Sequence, residues 1–377
     1  MQNGKELCDI LVVSDPYVII FSVKQIQFAG EKALELVALK RWRRKAVDES
    51  VKQIYHAQAR ITRGIPAYTD QEKRISIPNL ESIRVHRIAL ALGSKGKAPI
   101  ESRDFGKGFV HVYEEESITL LLQELNTVTD FVDYLMAVES LLLKGDAKSI
   151  VLQGGHEDLL ALYLLKGRAF PPNFNALVVG DDLWDGFEER PEVKRRREED
   201  KLSYLWDGLV EILARHESDG TWEYALDGRQ AELALRTMAK ENRFNRRVLA
   251  HQMDEILRTT TQGMSRSRLI QSPSGVVYVF LLSGKGYSRE ERRAELAGRC
   301  FVARDIVPTS RTVVGIATET YNTTDPGSSL DVCYMHSQDW TPEQHMKALE
   351  AREKFGWFPQ DRERHVRFDE YPATDGD

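Results

Sequence analysis

The stretch GKELCDILVVSDPYVIIFSVK, residues 4–24, decides how the chain is read. Two apolar, β-branched runs, 6–13 and 17–24, flank Ser14-Asp15-Pro16, and this turn chemistry predicts a β-hairpin. Both runs are nearly continuous in apolar residues, the pattern of strands covered on both faces. Two charges break the pattern: Asp9 interrupts Leu7-Cys8-x-Ile10-Leu11, and Lys24 ends the run from Tyr17 to Val23. A charge inside a sheet is costly unless it is paired or holds a metal. Side chains alternate between faces along a strand, so Leu7, Asp9 and Leu11 share one face, and Ile20, Ser22 and Lys24 share another. A hairpin in register then sets Asp9 beside Ser22 and Lys24.

An acid and a lysine at a hairpin edge suit metal-assisted phosphodiester cleavage. The carboxylate offers hard oxygen to Mg2+ or Mn2+. A bound ion activates water and neutralises charge developing on the phosphorane. The lysine adds a fixed positive charge near the nucleophile. On Asp9 and Ser22-Val23-Lys24 the segment resembles the PD-(D/E)xK, or restriction-endonuclease-like, nuclease superfamily, in its Mrr and NERD-type branches. That superfamily carries an acid on one core strand and acid-x-Lys on the next. The resemblance covers roughly residues 4–62. It implies a catalytic set of Asp9, Ser22 and Lys24, a Mg2+ (or Mn2+) ion held by Asp9 and the Val23 backbone carbonyl, and DNA as the partner, in a defence or DNA-processing setting.

The chain departs from the family at two places. Ser22 stands where the family has a carboxylate; Glu6 is the acid that could restore the charge, through a bulge or bend that turns it to the Asp9 face. The family also places a helix ahead of these strands, whereas eight residues precede Asp9. That helix is expected from an upstream segment or another chain, unless the fold has drifted. Ser22 favours an alternative from another class: a catalytically inactive nuclease-fold module that binds nucleic acid or a partner protein. Homo-oligomerisation stays open.

Outward from the hairpin, Val47, Val51, Ile54 and Ile61 recur on one helical face and predict a helix over 41–62. Lys40-Arg41-Trp42-Arg43-Arg44-Lys45 opens it, five cations around one tryptophan, a set able to clamp phosphates and stack a base. Cations at a helix N-terminus oppose the macrodipole, which points to ligand contact rather than a solvated face. Gln53 and Gln58 follow where related nucleases place helper polar groups. Strands are expected at 80–92 and 108–113, and helices at 117–124 and 127–143.

A boundary near Gly145 divides a restriction-endonuclease-like domain, 1–145, from a mixed α/β domain, 146–377, with a regulatory, sensing or assembly role. In the latter the pattern predicts strands at 148–152, 176–180, 276–282 and 312–317. Helices are expected near 155, over 190–216, 227–258 and 288–304, and from Thr341. The fold class is α/β. Three other polar stretches read as turns or caps: Phe105–Gly108, Gly154–Asp158 and Ser283–Ser288.

Net charge is −6 in 377 residues, which excludes a chain that is basic throughout but leaves room for a local basic patch. Three cysteines, Cys8, Cys300 and Cys333, are odd in number and far apart, which argues against a disulfide framework and for a reducing compartment. No apolar run reaches the ~20 residues of a membrane span, and the opening residues lack a secretory signal's pattern. A cytoplasmic protein with no membrane association is expected.

Overall fold

The structure, a computed structural model, describes residues 6–28, 35–68, 74–75, 77, 80–94, 102–143, 149–218, 228–260, 264–284, 286–319, 329–359 and 368–371. The chain forms two compact units, Met1–Arg190 and Pro191–Asp377. Gly145 lies outside the described residues, and residues 149–190 group with the first unit. Both units are mixed α/β.

The first unit opens with the expected antiparallel hairpin, β1 (Ile10–Ser14) and β2 (Tyr17–Gln25), paired from Ile10↔Phe21 to Ser14↔Tyr17. A helical run follows: α1 (Glu35–Arg43), a π-helical turn (Arg44–Asp48) and α2 (Glu49–Thr62). Short strands β3 (Ala67–Tyr68) and β4 (Arg74–Ile75) pair with each other. Next come β5 (Arg84–Leu92), β6 (Arg103–Asp104) and β7 (Phe109–Tyr113). The five-stranded sheet runs β1-β2-β5-β7-β6, with β2, β5 and β7 parallel and the two edges antiparallel. Helices α3 (Glu115–Glu124) and α4 (Val128–Leu143) are followed by β8 (Ser149–Leu152), α5 (His156–Leu165), β9 (Ala176–Val179) and α6 (Leu183–Glu188); β8 and β9 form a separate parallel pair.

The sheet is covered on both faces, as the continuous apolar runs require. On one face Val18, Ile20, Ala89, Ala91, Val110 and Val112 pack with Trp42, Ala46, Val47, Val51, Ile54 and Ile61 from the helical run. Ile20 and Ile54 are fully buried, each worth about 1.5–3 kcal/mol by transfer from water. On the other face Ile19, Phe21, Ile88, Leu90, Phe109 and Tyr113 are buried.

The second unit begins with α7 (Pro191–Asp200), a 3-10 turn (Lys201–Ser203) and α8 (Tyr204–Ser218). The sequence reads a single helix here; the Ser203 hydroxyl turns back onto the Asp200 carbonyl and breaks it. The second long helix is also divided, into α9 (Gly228–Ala239) and α10 (Arg243–Thr259), because Asn242 caps the Asn245 N–H at 2.8 Å. Then come β10 (Arg266–Gln271), β11 (Val277–Ser283), α11 (Arg289–Ile306), β12 (Thr312–Glu319), β13 (Leu330–His336) and α12 (Pro342–Phe355). The sheet runs β10-β11-β12-β13, with a parallel central pair joined through α11. Tyr278, Phe280, Val314 and Ile316 pack with α8–α10, and Val277, Val279, Leu281 and Val313 pack with α11.

Candidate active site at the hairpin

Pairing of β1 with β2 stops at Ile10↔Phe21, so the β1 ladder does not reach Val23. The Asp9 side chain takes over there: its Oδ2 accepts the Val23 N–H at 2.6 Å. The same oxygen lies 4.0 Å from Lys24 Nζ, with both side chains a quarter to a third exposed. The two charges therefore converge at the open end of the hairpin. An ion pair this accessible contributes about 0–1 kcal/mol to stability.

Ser22 and Lys24 lie opposite Ala89 and Ala91 of β5, whose small side chains leave space on the sheet face beneath α2. Ser22 is fully buried, and its hydroxyl donates to Gln53 Oε1 at 3.1 Å. The Ser22 position thus faces the helix, with a neutral partner and not a second acid. Gln58 accepts from Arg87 Nε at 2.6 Å, one turn further along. Glu6 is exposed and makes no hydrogen bond to Asp9. Burial pushes the Cys8 thiol up to about 11, with the Asp9 and Glu6 carboxylates adding to it, so Cys8 supplies no thiolate here.

Among the described residues no three His, Cys, Asp or Glu side chains converge as a metal cage. Asp9 Oδ1 has no partner among the described residues. One free carboxylate oxygen fits a largely hydrated Mg2+ or Mn2+ completed by a substrate phosphate, the usual manner of holding Mg2+, and not a dedicated protein cage.

The basic stretch is placed differently from its expectation. The helix is already under way at Glu35, so Lys40–Lys45 does not open it and the macrodipole argument lapses. Trp42 is buried, and its Nε1 donates to the Ile26 carbonyl at 2.7 Å. It clamps the chain two residues beyond Lys24 and has no free face for a base. Gly93 closes the same corner: its φ is +93°, and a Cβ there would lie 2.6 Å from the Ile26 oxygen. Arg43 is half-buried, whereas Lys40, Arg41, Arg44 and Lys45 are exposed.

The sequence reading missed the continuation of this basic surface. Lys52, His56 and Arg60, at helical i, i+4 spacing on α2, and Arg63 just past its end are also exposed. Lys52, Gln53, Tyr55, His56 and Lys107 line a depression beside the hairpin site. Among the described residues, Lys40, Arg41, Arg44, Lys45, Lys52, Arg60, Arg63 and Lys107 have no carboxylate partner. Their signal was present as i, i+4 cations outside the apolar stripe.

The other polar stretches are structural. Asp158, almost fully buried, accepts the Gly155 and Trp184 N–H groups at 3.0 Å each. Asp104 Oδ1 accepts the Gly106 and Gly108 N–H groups at 2.6 and 3.3 Å and shapes that turn. Ser288 caps α11 in a capping box with Glu291; Lys285 lies outside the described residues. Compared with family models, curated proteins and solved structures, the chain finds no match.

Proposed function

We propose that the first unit is a metal-dependent nuclease of the restriction-endonuclease-like type, acting on DNA. The observation that carries this reading is the convergence of Asp9 and Lys24 at an accessible hairpin end. The unpaired cations of α1, the π-helical turn and α2 support it, since they offer a phosphate backbone a path beside that end. Asp9, through Oδ1, with the Val23 carbonyl, would hold Mg2+ or Mn2+, and Glu6 would join them only through a bend of the segment ahead of β1. When bound, the ion supplies Lewis-acid activation of water and of the scissile phosphate. Lys24 places a positive charge beside the attacking oxygen, and Gln53 fixes the Ser22 hydroxyl. Trp42 positions the strand end and touches no substrate.

A second reading rests on Ser22. A buried neutral hydroxyl bonded to Gln53 replaces an acid and supports a module that keeps the fold to bind nucleic acid or a partner protein without cleaving.

Cleavage of plasmid and linear DNA with Mg2+ or Mn2+ tests the first reading. Wild-type protein should nick or degrade DNA, and Asp9→Ala and Lys24→Ala should not. DNA that stays intact with either ion, while the protein still retards it in a gel, would establish the second reading.

A further inference from the structure

Gly315 on β12 pairs directly with Cys333 on β13. A Cβ on Gly315 would lie 2.5 Å from the Cys300 sulfur, so the α11 thiol rests on the sheet where this glycine leaves room. Directly opposed residues of an antiparallel pair have their Cβ positions about 4.5–5.5 Å apart. Cys300 and Cys333 are therefore neighbours on one sheet face, packed in the same apolar cluster. Their accessibilities differ: Cys300 is fully buried, whereas Cys333, on the edge strand, is part-exposed.

We propose that Cys300 and Cys333 form a thiol–disulfide site whose co-reactant is a low-molecular-weight disulfide such as oxidised glutathione. The proximity of the two thiols lowers the Cys333 thiol below its ordinary range while holding the proton on Cys300. Cys333 is thus the nucleophile and Cys300 the resolving thiol. The Cys333 thiolate attacks one sulfur of the small disulfide, forms a mixed disulfide and releases one thiolate. The Cys300 thiol gives its proton to that thiolate and attacks the Cys333 sulfur, which releases the second fragment as a thiolate; this takes up from water the proton that Cys333 had given to it. Two protein thiols are oxidised, the small disulfide is reduced to two thiols, and α11 becomes linked to β13. Cys8, with its thiol pushed up to about 11 by burial, stays out of the exchange.

The test is incubation of the folded full chain with oxidised glutathione, an acid quench, and thiol counting with peptide mapping. Two of the three thiols should disappear, the mapped link should be Cys300–Cys333, and dithiothreitol should restore both. Cys300→Ala should trap glutathione on Cys333, at least about tenfold faster than on Cys8, following thiolate character and exposure. Cys333→Ser should leave Cys300 unmodified, which keeps the test open if the alanine variant does not fold. Three thiols that stay free until denaturant is added would overturn the proposal. So would a link to Cys8, or glutathione on Cys300 in the Cys333→Ser protein.

Discussion

Arg289, Arg292 and Arg293 on the first turn of α11 turn inward around one fully buried carboxylate, while Lys40, Arg41, Arg44 and Lys45 turn outward. Asp331 Oδ1 lies 3.0 Å from Arg289 Nε and 2.8 Å from Arg293 Nε, and its Oδ2 accepts from Arg292 Nε at 2.6 Å. Arg292 also donates to Ser329 Oγ at 2.6 Å. The three cations at this helix N-terminus oppose its dipole, and Asp331 compensates them from the neighbouring strand. The first unit has the reverse economy. Lys40, Arg41, Arg44 and Lys45 lie along a helical run already under way, without acidic partners among the described residues, and the acid ahead of β1, Asp9, keeps one oxygen open. Saturated charges hold a fold together; unsaturated ones are left for something that is not part of the chain.

The largest test of that contrast is Asp331→Ala. Removing the one carboxylate shared by three arginines should destabilise the second unit by about 3–5 kcal/mol, the usual effect of stripping a partner from a buried charge. Urea unfolding followed on the tryptophans of that unit would read it, and a loss under about 1 kcal/mol would erase the distinction between the two clusters.

The first unit buries two histidines in neutral form. Burial pulls the His86 imidazole down to about 4 and that of His111 to about 3, with neighbouring charges adding to both shifts. Neither His86 nitrogen, nor Nε2 of His111, has a hydrogen-bond partner among the described residues. The unfolded chain takes up protons on both near the ordinary 6.5, and the folded chain does so only near 3–4. Stability is therefore full above pH ~6.5 and falls as pH drops toward 4, by about 1.4 kcal/mol per pH unit for each histidine within that window. Unfolding midpoints at several pH values should show the slope, and His86→Phe with His111→Phe should flatten it. An unchanged slope in the double variant would assign the acid sensitivity to other groups.

Two smaller effects sharpen the comparison at the hairpin. Ser22→Glu adds a second carboxylate beside Asp9. Repulsion between the acids raises the pKa of one of them when no ion is present, so Mn2+ affinity should rise with pH and exceed that of wild type by about tenfold, or about 1.4 kcal/mol. Titration calorimetry decides it; unchanged or weaker binding, with the fold intact, would mean that position 22 faces no ion. Asp9→Ala should cost the least stability, under about 1 kcal/mol, because its ion pair is accessible, even though DNA cleavage should cease. A loss as large as that expected for Asp331→Ala would make Asp9 a structural residue.

How much was legible follows from where each signal lies. The hairpin and the apolar face of α2 could be read because β-branched runs and the spacing of Val47, Val51, Ile54 and Ile61 are local. The convergence of Asp9 on Lys24 was legible once a register was assumed: strand alternation sets Asp9 on the face of Ser22 and Lys24 when Ser14 pairs with Tyr17 across the two-residue turn Asp15-Pro16. The capture of the Val23 N–H by Asp9 was not, because it depends on where the β1 ladder stops. The Arg289–Asp331 cluster was illegible because its members are 38 to 42 residues apart. The breaks at Ser203 and Asn242 come from single side-chain hydrogen bonds, which an apolar period does not register.

The π-helical turn at Arg44–Asp48 has a consequence for phase. Each residue of a regular α-helix advances by about 100°, and an i→i+5 turn accommodates one residue more than a regular turn does. In an unbroken α-helix the nine steps from Trp42 to Val51 would set the two on opposite sides; here both reach the core. A search template of constant period loses step at residue 44, and Trp42 then scores as a surface residue among cations. A relative with a regular helix in this place would match the chain only with a one-residue gap between Trp42 and Val51. Removing a single residue there should leave the basic face pointing as it does now, whereas straightening the turn at full length should swing Trp42 out and one of its cationic neighbours in.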